Sequence, residues 1–110
     1  MKIDFKGFNE KVLTLECDST VTTANQWVEL SENGKVRQAS ENSPLTGVTV
    51  NSRNGYCGVM LSGVVTAQCT GEIPLGYTSL VYTADGIAHS SAGRQHLVLS
   101  ATDSTVTFVL

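Results

Sequence analysis

The chain has 110 residues, 41% hydrophobic and 15% charged, with a formal net charge of −3 at pH 7. That length suits one compact domain with a real core, and the hydrophobic share excludes a disordered chain. The cations Lys2, Lys6, Lys11, Lys35, Arg37, Arg53 and Arg94 are scattered, without the clustering that neutralises nucleic-acid phosphates.

The opening stretch, MKIDFKGFNEK, lacks an apolar run long enough for a signal peptide. No segment approaches the roughly 20 apolar residues of a membrane-spanning helix. The expectation is a soluble protein made in the cytosol that contacts neither membrane nor nucleic acid. Along the chain, thirteen Val and thirteen Thr favour the pleated backbone of strands. The first expected strand, 3–8, carries Ile3, Phe5 and Phe8, and the Phe5–Phe8 pair suits either a sticky N-terminal anchor or packing over the end of the fold. The next, 11–17, alternates so that Leu13, Leu15 and Cys17 share one face. Strands 26–31 and 35–39 flank Asn33-Gly34, a dipeptide that tolerates the positive φ of a tight hairpin. Strands 46–52, with Val48 and Val50 on one face, and 55–61 flank Asn54-Gly55. Strand 64–70 follows Ser62-Gly63. Strands 79–84 and 87–90 flank Asp85-Gly86. Strands 95–101 and 104–110 close the chain, the last with Val106, Phe108 and Leu110 together. Many short strands at this spacing predict an all-β fold, a small antiparallel β-barrel or sandwich with no substantial helix.

The chain also resembles itself. Gly47–Leu61 aligns with His96–Leu110 at an offset of 49, and Val28–Val36 with Leu80–Ile87 at 52. The expectation is a single β domain over 1–110 built of two pseudo-repeated hairpin units. It comprises an N-terminal arm plus strand (1–24), a first unit (27–61), a bridge (62–79) and a second unit (80–110).

The order of pieces from Trp27 to Leu110 resembles a family of small phage and prophage head proteins, akin in style to the lambda-type head decoration proteins. The pieces are WVELSENGKVRQAS, LTGVTVNSRNGYCGVML, SGVVTAQC, a PLG loop, LVYTADGIAHSS and HLVLSATDSTVTFVL. The resemblance implies a structural virion protein on the outside of an expanded capsid, where it stabilises the shell. It implies the major capsid protein as partner, a homotrimer, and no catalytic residue or cofactor. Ile3, Phe5 and Phe8 are then the candidate capsid contacts. The alternative is a tail, baseplate or fibre module that recognises a glycan or another virion protein.

Candidate chemistry is sparse. His89 and His96, on expected neighbouring strands, lack the tight ligand spacing of a zinc site, even with Asp85 or Asp103 added. The eleven serines include no Gly-x-Ser-x-Gly elbow. Cys17, Cys57 and Cys69 have no neighbouring cation to activate them and read as reduced, buried thiols. A two-residue turn at Ser62-Gly63 sets Cys57 opposite Gln68, and a three-residue loop over 62–64 sets it opposite Cys69. Gly71–Gly76 lacks the Gly-Lys-Ser/Thr ending of a phosphate cradle and reads as a turn. Trp27 reads as core or rim packing. The only lysine at a hairpin tip, Lys35, leaves little basis for a biotinyl or lipoyl carrier. No metal, cofactor or catalytic site is expected.

Overall fold

The β-branched segments form strands in a computed structural model of the chain, which describes residues 11–110. These are β1 (Lys11–Cys17), β2 (Trp27–Glu32), β3 (Lys35–Gln38), β4 (Ser43–Pro44), β5 (Gly47–Arg53), β6 (Tyr56–Ser62), β7 (Val64–Gln68), β8 (Gly76–Thr83), β9 (Gly86–His89), β10 (Arg94–Ala101) and β11 (Thr105–Val109). No helix occurs among the described residues, and the protein is all-β. The expected strand 3–8 lies outside them. β4 is a short strand that the alternation pattern does not reveal.

The first half closes into a barrel in the order β1-β3-β2-β5-β6. Closure uses one parallel ladder, in which Glu16 faces Lys35 and Cys17 faces Val36. The second half, joined at one edge by β4 from the first, forms a sheet in the order β4-β8-β10-β11-β7, with β9 on β8. Its ends meet at a single parallel bridge, Cys69 to Ile87.

The closing hairpins of the two halves share one register. In β5–β6, Thr49 faces Val59, Val50 is passed over in a bulge, and Asn51 faces Gly58. In β10–β11, Val98 faces Phe108, Leu99 is passed over, and Ser100 faces Thr107. Every residue of this second hairpin stands 49 places after its counterpart (59 to 108, 58 to 107). The correspondence extends to β1 and β7: Leu13 faces Val59 as Val65 faces Phe108. The strand carried by segment 62–79 is therefore the counterpart of β1, and each repeat contains five strands. A bulge kept at the same place bends both hairpins alike and pins their inward faces.

Each repeat buries its own core. In the first, Cys17, Val21, Val28, Val36, Cys57 and Val59 pack together. Their counterparts Cys69, Ile73, Leu80, Ile87, Val106 and Phe108 pack in the second, joined by Leu45, Val65, Val98 and Leu110.

Two expectations need correction. The inward face of β5 is Gly47 and Thr49, not Val48 and Val50: Thr49 is fully buried and Val50 exposed. Thr49 is accommodated because its Oγ1 donates to the Thr23 carbonyl at 2.7 Å and accepts from the Gln26 N–H at 2.9 Å. Gly47 sits inside because a Cβ there would stand 2.5 Å from Val59 Cγ1. Neither register placing Cys57 against Gln68 or Cys69 occurs either. β6 is already paired on both edges, by β1 and β5, so β7 cannot fold back on it. Gly63, at φ 130°, instead passes the chain into the second sheet, and its carbonyl accepts from the Leu110 N–H at 2.8 Å.

Phe108 is the largest fully buried side chain among the described residues. Phe108→Ala is expected to cost about 3–5 kcal/mol in urea denaturation. Val59→Ala, at the equivalent place in the first repeat, removes less apolar volume and is expected to cost less.

Candidate functional site

The second core is not sealed by its own repeat. Trp27 and Met60, from the first repeat, pack against it. The Trp27 indole stacks on Phe108 with centroids 6.1 Å apart and planes 17° from parallel. Trp27 faces Val48, Val48 faces Met60, and Met60 faces Val12 in successive ladders. These four form one apolar row across the outside of the first barrel. Opposite its inner portion runs β7, with Tyr82, Thr83, Ala84, Gly86 and Ile87 beside it. Between them lies a cleft of about 590 Å³ whose lining, among the described residues, includes no charged side chain.

A strap from the first repeat secures the second repeat. Ser43 and Pro44 of β4 pair with Tyr82 and Val81 of β8. The Asn42 N–H donates to the Tyr82 carbonyl at 2.8 Å, and the Glu41 carboxylate accepts from the Ala84 N–H. Leu45, just beyond, is buried in the second core. The strap's own base is fixed by Glu29, which accepts from the Ser40 N–H and hydroxyl, each at 2.7 Å, and pairs with Arg37 at 2.8 Å. The Ser40 bonds, with Arg37 adding to them, hold the Glu29 carboxyl down to about 2.

The outer face of the second repeat carries a matching row. Tyr77 faces Leu97, Leu97 faces Val109, and Val109 faces Val64. Here the aromatic end stands in solvent, with Tyr77 exposed.

The reactive side chains do not converge. His89 is exposed on β9 and His96 buried on β10, and β8 lies between those strands, so they are not neighbours as the sequence suggested. Among the described residues, no group of three His, Cys, Asp or Glu side chains is placed to hold a metal ion. All three cysteines are free and buried. Burial first, then the adjoining Cys17 thiol, pushes the Cys57 thiol up to about 11, which suppresses the nucleophilic thiolate. Cys69 Sγ donates to the Thr102 carbonyl at 3.7 Å instead. Ile3, Phe5 and Phe8 lie outside the described residues. The apolar rows were missed by the sequence reading. Their signal was the bulge, which puts Val48 outside and cannot be read from alternation alone.

No protein-family model, curated protein or solved structure matches the chain.

His96 is the one buried histidine, its Nδ1 3.0 Å from the Val109 carbonyl and its ring edge-on to Phe108 at 5.6 Å. Burial drives its pKa below the usual value, with Arg94 adding to the fall and the Val109 carbonyl opposing it. The unfolded chain then binds a proton more readily than the folded one. Stability is therefore complete above the unfolded pKa of about 6.5 and declines as pH falls below it. Urea midpoints compared at about pH 7.5 and pH 5.5 should show that decline, and His96→Gln should remove most of it.

Proposed function

We propose that the chain is a structural virion protein that binds the outside of an assembled phage capsid, probes no chemistry, and stabilises the shell as a homotrimer. The observation that carries this reading is the outward apolar row of the second repeat, half-buried along its length and headed by the exposed Tyr77. A cement protein needs a firm outline and an adhesive surface, and each contact is multiplied when several copies bind together. Val12, Leu13, Leu30, Tyr56 and Leu75 add further exposed apolar surface. The resemblance of the stretch from Trp27 to Leu110 to head decoration proteins supplies the partner, the major capsid protein. Ile3, Phe5 and Phe8 remain the proposed contacts on the N-terminal side. No catalytic role and no cofactor enter this reading.

A second reading, a tail or fibre module that binds a neutral glycan, is favoured by the uncharged cleft. Its lining combines Trp27 and Tyr82 with Asn25, Thr49 and Gln68. Sedimentation separates the two readings. Mixed with expanded capsids of its own phage, the protein should pellet with them and raise the temperature at which they rupture. A protein left in the supernatant by every capsid state contradicts the decoration reading.

A further inference from the structure

The contact that joins the two repeats inside one chain has unused counterparts on both. The donor in that contact is the row Trp27, Val48, Met60 of the first repeat. The acceptor is the margin of the second repeat, formed by β7 and by Tyr82 at the end of β8. The second repeat carries a donor of the same construction, Tyr77, Leu97, Val109. The first repeat carries the acceptor positions: Val12, Leu13 and Leu30 stand where the second has Val64, Val65 and Tyr82.

Exposure distinguishes the used surfaces from the unused ones. Leu13 is 49% exposed, whereas Val65, its counterpart, is 9% exposed. Leu30 is 59% exposed, whereas Tyr82 is half-buried. Tyr77 is 72% exposed, whereas Trp27 is half-buried and lies on Phe108. Glu16 and Glu32 replace Gln68 and Ala84 beside the open acceptor, giving it the polar rim usual at contacts between separate molecules.

We infer that the occupant of the open acceptor is a second copy of this chain: the Tyr77, Leu97, Val109 row of one copy docks on the Val12, Leu13, Leu30 margin of the next. The contact between chains then continues the one already made within each chain. Donor and acceptor are different surfaces, so the contact is head to tail, and the rotation between neighbours sets whether the copies close into a ring or extend as a filament. This inference deepens the proposed function by giving its homotrimer a contact surface, and it is tested without a shell, so a failure to bind capsids leaves it standing.

Sedimentation of the purified full chain at several concentrations tests it, with circular dichroism as the check on folding. The expected particle has the mass of two or more 11.7 kDa chains. Tyr77→Glu spoils the donor, and Leu13→Glu the acceptor. Both side chains are exposed, so both variants should fold, and each alone should sediment as a monomer. Leu30→Glu serves as an independent acceptor variant with the same expected result. Mixed in equal amounts, Tyr77→Glu and Leu13→Glu should form a one-to-one dimer, because one retains a sound acceptor and the other a sound donor. A wild-type monomer at every concentration overturns the inference. So does a folded variant that keeps the wild-type mass, or a mixture that remains monomeric.

Discussion

Trp27 lying flat on Phe108 is the contact on which the rest of this architecture depends. A repeat of about fifty residues is close to the size at which a hydrophobic core alone cannot hold a fold. The second repeat closes its sheet through one residue pair, Cys69 and Ile87, where the first uses two. Its core is completed from outside by Trp27, Met60 and Leu45, all from the first half of the chain. An offset aromatic stack contributes roughly 0.5–1.5 kcal/mol beyond the area it buries. Its position matters more, since it covers the largest fully buried side chain among the described residues.

The repeats share a ladder and differ in how the inside is filled. Gly47 of the first corresponds to His96 of the second, and Cys57 to Val106. The first repeat is thus the smaller-cored one, with a buried threonine whose hydroxyl is fully bonded. The second admits a buried imidazole with one nitrogen, Nε2, lacking a partner among the described residues. An unpartnered buried polar atom weakens a fold, so external sealing matters most for that repeat.

Much of this was legible in the sequence, for physical reasons. Strand existence follows from β-branched composition, and strand ends from Asn33-Gly34, Asn54-Gly55 and Asp85-Gly86, whose glycines all take positive φ. The internal offsets of 49 and 52 emerged from side-chain pattern because the inward faces repeat. What stayed hidden depends on tertiary partners. The bulge at Val50 reverses the face of β5, and nothing local announces it. β4 is two residues held by β8 rather than by its own propensity. The separation of His89 from His96 follows from β8 lying between their strands, a matter of sheet order. The candidate surface was the least legible, since an outward apolar row looks in sequence like a second inward one.

The functional reading rests on this mechanical picture: a firm body made from two interlocked repeats, with adhesive surface remaining outside. If the repeats were separable, the outer rows would be mere ornaments on two marginal sheets. Trp27 is the sole tryptophan and reports on the junction directly. The decisive measurement is equilibrium urea unfolding followed by Trp27 emission and by far-ultraviolet circular dichroism in one sample. The account predicts a single transition with coincident curves. A tryptophan signal lost at lower urea, while most strand signal persists, would contradict it.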